Sequence, residues 1–202
     1  EQPVKVAMLN ARAKLFCDHP YSMPNLGTEK KVKALKREDL IEFWKSVAVP
    51  SNIVLAVFGD IEPEKTRSLV LKRMGLLTGN PIAAPKSSST NFGKADRIVE
   101  QKDKEQAVVV IAFPGIDLKN PDRPSVELMN AGLSGMGSRL FLRLRDQLAL
   151  CYYVGVNEMI GMDRGFIYFY IGTDPKKVAE AEREIQSEIE KLRKGGLTAE
   201  EL

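Results

Sequence analysis

The sequence is poor in the residues that build metal sites and disulfides. Histidine occurs once, at His19, and cysteine twice, at Cys17 and Cys151. The two cysteines lie too far apart for a CxxC motif, and two cysteines in 202 residues provide no disulfide framework. His19 stands in a turn with no second ligand at helical spacing, which favours a structural or solvent-exposed role over metal ligation. The sequence therefore predicts no metal site.

Long apolar runs and a strong charge imbalance are missing as well. No stretch approaches the ~20 apolar residues that a membrane-spanning helix needs. The 30 Lys and Arg against 27 Asp and Glu give a net charge of +3, and the two signs alternate along helical segments, as is typical of solvated faces. These features argue against a membrane span and against nucleic acid as a partner. A hydrophobic content of 44% suffices for one sizeable core or two small ones.

The periodicities predict two α/β units joined by a linker. The first unit, 1–78, is expected to contain helices at 3–16, 37–47 and 63–74 and a strand at Ile53–Phe58. Residues 79–97, rich in Gly, Pro, Ser and Asn, are predicted to be an exposed linker. The second unit, 98–202, is predicted to alternate strands and helices, at 97–101, 107–113, 124–133, 138–148, 152–158, 166–172 and from Pro175 onward. This pattern predicts an α+β fold with antiparallel-type sheets covered by helices.

Both ends of the sequence suggest part of a larger polypeptide. The chain opens at Glu1, without an initiator methionine, and enters an amphipathic helical pattern at once. At the other end, Thr198 to Glu201 form a capping box for a helix that Leu202 leaves no room to build. We therefore expect the second unit to be truncated at its C-terminus.

The strongest candidate site lies in the segment 135–154, GMGSRLFLRLRDQLALCYYV. Ser134 or Ser138 is expected to cap a helix whose apolar residues share one face. Those apolar residues are Leu140, Phe141, Leu144 and Leu148. Arg145 lies on the flank of this face, where its guanidinium could line a cleft. Tyr152 follows seven residues later, where a strand begins.

Neither residue would indicate a function without its context. Arginines on amphipathic helices are mostly solvated, as Arg139 and Arg143 are expected to be on the opposite side, and tyrosines that open strands mostly pack.

Other polar residues are expected to have no catalytic role. Asp163 and Arg164 are expected at a polar hairpin tip. Glu127 and Glu158 show no spacing that supports acid–base chemistry, so they are interpreted as solvated residues.

The run GSRLFLRLRDQLALCY resembles the signature of the second, zinc-free domain of the pitrilysin and insulinase family of zinc peptidases, which includes the mitochondrial processing peptidase. A second run, HPYSMPNLGT at 19–28, followed by REDL at 37–40 and PSNIVLAVFGD at 50–60, resembles the closing portion of the same family's first domain. The two matches cover most of the chain. The resemblance implies that Arg145 and Tyr152 reach across to the zinc site of the partner domain and hold the substrate peptide.

The family's zinc motif, HxxEH, needs two histidines, so this sequence cannot contain it. The resemblance therefore implies a substrate-clamping portion of a zinc metalloendopeptidase, with no cofactor of its own and inactive alone. Zinc would be held by the parent protein's missing domain. The implied partners are a peptide or protein substrate and the zinc-bearing domain of the same or a partner chain, in a homodimer or a heterodimer.

The alternative belongs to another class of protein. Members of this family also serve as proteolytically silent subunits, as in the core proteins of a respiratory complex or the non-catalytic partner of a heterodimeric processing protease. In that case the chain would be part of a scaffold or a substrate receptor. A free-standing peptide-binding domain is a third interpretation. An intact HxxEH upstream of Glu1 would favour the peptidase.

Overall fold

A computed structural model describes residues 2–17, 19–80 and 95–201 of the chain. They form two compact units, of which the larger comprises Glu1–Pro24 and Ser87–Leu202 and the smaller Asn25–Lys86. The helices and strands, in chain order, are α1 (Pro3–Phe16), α2 (Glu29–Ala34), α3 (Arg37–Val47), α4 (Pro63–Met74), β1 (Ala107–Gly115), α5 (Arg123–Leu133), a π-helix (Phe141–Gln147), β2 (Cys151–Met159), β3 (Gly165–Thr173) and α6 (Val178–Gly195). No helix in these ranges combines the length and the apolar character needed to cross a membrane.

The sheet of the larger unit has three antiparallel strands in the order β1-β3-β2. The strands β2 and β3 form a hairpin, and β1 pairs along the whole of β3, from Ala107 opposite Thr173 to Gly115 opposite Gly165. Successive side chains of each strand point to opposite faces of the sheet. Because β3 lies between them, β1 and β2 are the two edges of the described sheet.

One face of the sheet packs on α5, the π-helix and α6. The core there consists of side chains that are all at most 4% exposed: Leu133, Leu140, Leu144, Leu150, Val156, Phe169, Ile171, Ala181 and Ile185. On α6, Ala181 and Ile185 are separated by one helical turn, so both reach the sheet, while the opposite side of the helix is charged. This layer carries the candidate site at its edge.

The other face of the sheet is partly covered by α1 and the short 3₁₀ helix that follows it. Phe16, which is fully buried, packs edge-on against Phe166 with ring centroids 5.7 Å apart. His19 is buried beside it, and its Nε2 lies 3.1 Å from the Asp163 carboxylate at the hairpin tip. The Tyr21 hydroxyl accepts a hydrogen bond from the Met162 backbone N–H. The HPY turn therefore clamps the tip of the β2–β3 hairpin.

The smaller unit contains α2, α3 and α4 but, within its described residues, no strand. The prediction of a strand at Ile53–Phe58 is wrong for this structure. The segment is extended but has no pairing partner among the described residues, and Val54 and Phe58 are 96% and 92% exposed. A strand forms only when a neighbour satisfies its backbone groups. The predicted strand at 97–101 is absent for the same reason.

The fold class is confirmed, because an antiparallel sheet is backed by helices in a mixed α/β chain. Of the predicted linker, 81–94 lie outside the described residues. The first 24 residues belong to the larger compact unit, because α1 packs on its sheet. The predicted domain limits of 1–78, 79–97 and 98–202 follow the domains of the family and not the contacts within this chain, so they stay a prediction.

Candidate functional site

Arg145 lies in a helix that begins as an α-helix and continues as a π-helix. The predicted cap is Ser138, whose hydroxyl accepts a hydrogen bond from the Phe141 N–H. Beyond the cap, the Leu148 N–H donates to the Arg143 carbonyl five residues back, which is π-type bonding. Each π turn holds more residues than an α turn, so it changes the direction in which later side chains point. Such segments are frequent at functional sites.

The Arg145 guanidinium is exposed and is held over an aromatic ring. Its Cζ lies 4.5 Å from the centroid of Phe141, one turn earlier, in a cation–π contact. Among the described residues no acceptor takes a hydrogen bond from Arg145. A neighbour on the same helix, Arg143, donates instead to the Gln147 side chain and lies 3.8 Å from Glu184. Arg145 therefore keeps its planar set of donors available to a ligand.

Tyr152 is the extra residue of a β-bulge. The pairing of β2 with β3 passes from Cys151 opposite Thr173 directly to Tyr153 opposite Gly172, so Tyr152 has no residue opposite it. Bulges redirect a side chain and occur often beside active sites. Tyr152 is 61% exposed, which leaves its hydroxyl accessible. Two irregularities, a π-helix and a bulge, thus present the two predicted site residues to solvent.

The connection between the two residues is short and well anchored. Ala149 adopts a left-handed conformation, with φ of 48°, and its carbonyl accepts a hydrogen bond from the Lys177 ammonium. The Leu150 N–H donates to the Leu144 carbonyl, and the Thr173 hydroxyl donates to the Leu150 carbonyl. No hydrogen bond between Arg145 and Tyr152 is present in the part of the chain that the structure describes.

Cys151, next to Tyr152, is not an activated nucleophile. Burial raises the pKa of its thiol to about 11, although the nearby Arg145 charge acts in the opposite direction. The thiol is therefore protonated near neutral pH, and the thiolate is the nucleophilic form. The chemistry available at this site is hydrogen-bond donation from a guanidinium and a phenol.

Other residues singled out in the sequence have structural roles. Arg139, predicted to be solvated, is only 17% exposed because its guanidinium pairs with the Glu201 carboxylate. The predicted hairpin tip is found, but Asp163 faces the buried His19, so His19 is structural and not solvent-exposed. Glu127 pairs with Arg123 on the surface of α5. No group of three or more His, Cys, Asp and Glu side chains that could hold a metal ion occurs within 2–17, 19–80 and 95–201.

Sequence reasoning missed the aromatic face beside α1. Tyr153, Tyr168 and Tyr170 lie there in a row, and Gly155 and Gly172 lie under two of the rings. A glycine inside a strand often marks the close approach of another group, so Gly155 and Gly172 are the sequence features that could have indicated this aromatic face.

The fold and the site define a mixed α/β domain that presents hydrogen-bond donors at the junction of a helix and an edge strand. Residues 34–202 match the family described as the peptidase M16 inactive domain. The chain therefore belongs to the peptidase M16 family, which confirms the resemblance to zinc peptidases found in the sequence.

Curated relatives cover nearly the whole chain. It is 28% identical over 196 residues to an uncharacterized zinc protease of Streptomyces coelicolor, a match that covers 93% of this chain and 42% of that protein. It is 26% identical over 203 residues to the non-peptidase homolog YmxG of Helicobacter pylori, covering 98% of this chain and 46% of that protein. The chain thus spans less than half the length of these relatives.

A solved structure of the peptidase M16 inactive domain from Pseudomonas fluorescens has the same fold. Its TM-score is 0.81 at 24% identity, and the match covers 99% of this chain and 49% of that chain. At this identity the likeness concerns the fold alone.

Proposed function

We propose that this chain is the substrate-clamping portion of a zinc metalloendopeptidase. Arg145 and Tyr152 bind the backbone of a substrate peptide, and a zinc-bearing domain outside this chain cleaves it. The observation that carries the proposal is the exposure of both side chains at two irregularities flanking one short, anchored connection. Family membership and relatives named zinc proteases support the reaction class.

The chemistry of the two side chains suits a peptide carbonyl. A guanidinium offers a rigid fork of charged donors, and a phenol offers one hydroxyl. Donors placed where negative charge develops stabilise the transition state of acyl transfer more than the ground state. Phe141 stacks under the Arg145 guanidinium and limits its freedom, so less conformational entropy is lost when the peptide binds.

The HxxEH zinc motif needs two histidines and this sequence holds one, and no group of three or more possible zinc ligands occurs among residues 2–17, 19–80 and 95–201. The residues present do not fit the metal, and no step of the proposed mechanism passes through zinc here. The metal, the attacking water and the general base are assigned to a domain of the same or a partner chain. This chain alone is then proteolytically inactive.

The test uses the complete polypeptide that contains this chain and a quenched fluorescent peptide. We expect Arg145→Lys and Tyr152→Phe each to lower kcat by about 10²–10³-fold, the usual effect of losing one preorganised donor. Arg143→Lys is the matched control, since it lies on the same helix and is bound to Gln147. Its kcat should stay within about twofold.

Circular dichroism separates a lost contact from a lost fold. Full activity of both site variants, with wild-type spectra, would remove Arg145 and Tyr152 from the mechanism. A loss of activity in Arg143→Lys equal to that in Arg145→Lys would show a structural effect of the helix and would equally contradict the assignment.

A second candidate function is a proteolytically inactive scaffold or substrate receptor of the same family. The match to a relative named as a non-peptidase homolog, over 98% of this chain, favours it specifically. The two functions differ in a segment outside 1–202. If the complete polypeptide carries HxxEH and its Glu→Gln variant abolishes peptide cleavage, the peptidase is supported. If that motif is replaced, the scaffold is supported.

A further inference from the structure

A row of aromatic rings lies on the sheet face that α1 only partly covers. Phe166, Tyr168 and Tyr170 alternate along β3 with core residues, so they point away from the core. Tyr153 continues the row from β2. Neighbouring ring centroids are 5.2 Å apart for Phe166 and Tyr168, 6.0 Å for Tyr168 and Tyr170, and 6.3 Å for Tyr170 and Tyr153.

Two strand glycines allow the tyrosine rings to lie close against the sheet. A Cβ at Gly172 would lie 2.2 Å from Cζ of Tyr153, and a Cβ at Gly155 would lie 2.7 Å from the Tyr170 hydroxyl oxygen. Neither distance is compatible with a side chain, so only glycine permits this packing. The tyrosines therefore cover the sheet as a floor of aromatic rings.

The floor belongs to an open cleft of about 740 Å³ bordered by the first turns of α1. Asn157, Gln106 and Met8 also line the cleft. Burial raises the pKa of Tyr153 and of Tyr168, so both phenols stay protonated and can donate at neutral pH.

We propose that this cleft, formed by Tyr153, Tyr168, Tyr170, Asn157, Gln106 and Met8, binds a proline-bearing peptide segment in the polyproline II conformation. The backbone of such a segment has no internal hydrogen bonds, so its carbonyls need donors from a partner. Aromatic-lined grooves bind proline-rich segments because the extended helix is preformed and its ordering entropy is low. Phenol and amide donors around an aromatic floor meet both requirements.

The charge of the cleft argues against a nucleic-acid strand, another ligand that stacks on aromatic rings. Proteins that bind single strands combine stacking platforms with a positively charged groove along the backbone. The residues lining this cleft include one cation, Lys5, and no carboxylate. A nearly neutral, donor-rich cleft fits peptide carbonyls better than phosphates. The proposed site is independent of the roles proposed for Arg145 and Tyr152.

The test is isothermal titration calorimetry of the complete polypeptide that contains this chain with a capped decaproline. We expect one saturable site with a Kd on the order of 10 μM to 1 mM, and binding at least about tenfold weaker for a glycine–serine peptide of equal length. Tyr153→Leu, which removes one ring, should weaken binding by about five- to tenfold. Asn157→Ala should weaken it by about threefold or more.

Leu128→Ala on α5, in the helix layer of the opposite face, is the control and should bind like the unchanged chain. Should Tyr153→Leu fail to fold by circular dichroism, Tyr168→Phe and Asn157→Ala decide in its place. Absence of saturable decaproline binding, equal binding of the glycine–serine peptide, or full binding by the folded cleft variants would each overturn the proposal. Tighter binding of an oligothymidylate would overturn it in favour of a nucleic-acid site.

Discussion

The three arginines of the 139–147 helix differ in what holds them, although they lie within seven residues of one another in the sequence. Arg139 is nearly buried against Glu201, Arg143 pairs with Gln147 and Glu184, and Arg145 stacks on Phe141. Helical periodicity places Arg145 at the edge of the apolar face. It does not show that Arg139 meets a carboxylate 62 positions away, because that contact depends on how the C-terminal segment folds back.

The Glu201 carboxylate stabilises the larger unit, and this stabilisation is lost at acid pH. The hydrogen bonds from Arg139 lower the pKa of this carboxyl from its usual 4.5 to about 2. Because the folded-state pKa is depressed, the stabilisation is fully present above about pH 4.5 and is lost as the pH falls towards 2. We expect Glu201→Gln to lower the free energy of unfolding by about 1–3 kcal/mol near pH 7.

Urea unfolding at neutral pH and at about pH 2 checks this prediction, with Glu190→Gln as the control on the exposed end of α6. The difference between Glu201→Gln and the unchanged chain should shrink at the lower pH, because the carboxyl is then about half protonated in the folded chain and almost fully protonated in the unfolded chain. An equal difference at both pH values would contradict the role of the charge.

The two cysteines should react differently with alkylating reagents. Burial raises the pKa of the Cys151 thiol to about 11, whereas Cys17 is exposed. We expect iodoacetamide near pH 8 to modify Cys17 in the native chain and to leave Cys151 unmodified until urea is added. Mass spectrometry of tryptic peptides measures both sites in one sample. Equal native modification of the two would contradict the environment described for Cys151.

At the scale of elements, most of the regular helices and strands follow from the sequence pattern, although α2 was not predicted, and the irregular elements do not follow from it. Helices α1, α3 and α4 have the predicted limits, and β1 to β3 agree within two residues. The π-helix and the bulge at Tyr152 were not predicted. Both arise where the helix end must join the edge strand while Leu144 and Leu150 stay buried, a tertiary demand that local periodicity does not contain.

At the segment Ile53–Phe58, by contrast, the sequence predicts a strand that the structure does not contain. Its β-branched and apolar residues favour a strand, but a strand needs a neighbour for its backbone groups. Among the described residues none pairs with it, and its side chains remain largely exposed. The pattern predicts an intrinsic preference, whereas pairing decides whether the strand forms.

The π-helix should depend on its buried face for stability. Leu144 is fully buried in the core, whereas Leu142, two residues earlier, is 44% exposed. We expect Leu144→Ala to lower the free energy of unfolding by about 2–5 kcal/mol and Leu142→Ala by less than about 1 kcal/mol. Urea unfolding followed by circular dichroism measures both. Similar losses in the two variants would mean that the helix does not pack as described.

At the scale of the whole molecule, the family and the lack of zinc ligands could be predicted from the sequence. The motif at 137–152 indicates the lineage, and a single histidine excludes HxxEH. The aromatic cleft could not be predicted, because three tyrosines from two strands meet only after β2 and β3 pair. The division into compact units also depends on contacts, since α1 packs on a sheet whose first strand begins more than 90 residues later.

The central claim is that Arg145 and Tyr152 grip peptide backbone for a reaction carried out by another domain. The most direct test is a crystal structure of the complete polypeptide with a bound, uncleavable peptide. We predict that the Arg145 guanidinium and the Tyr152 hydroxyl each lie within about 3.2 Å of a backbone oxygen of that peptide. A peptide bound elsewhere, with both groups still facing solvent, would contradict the account.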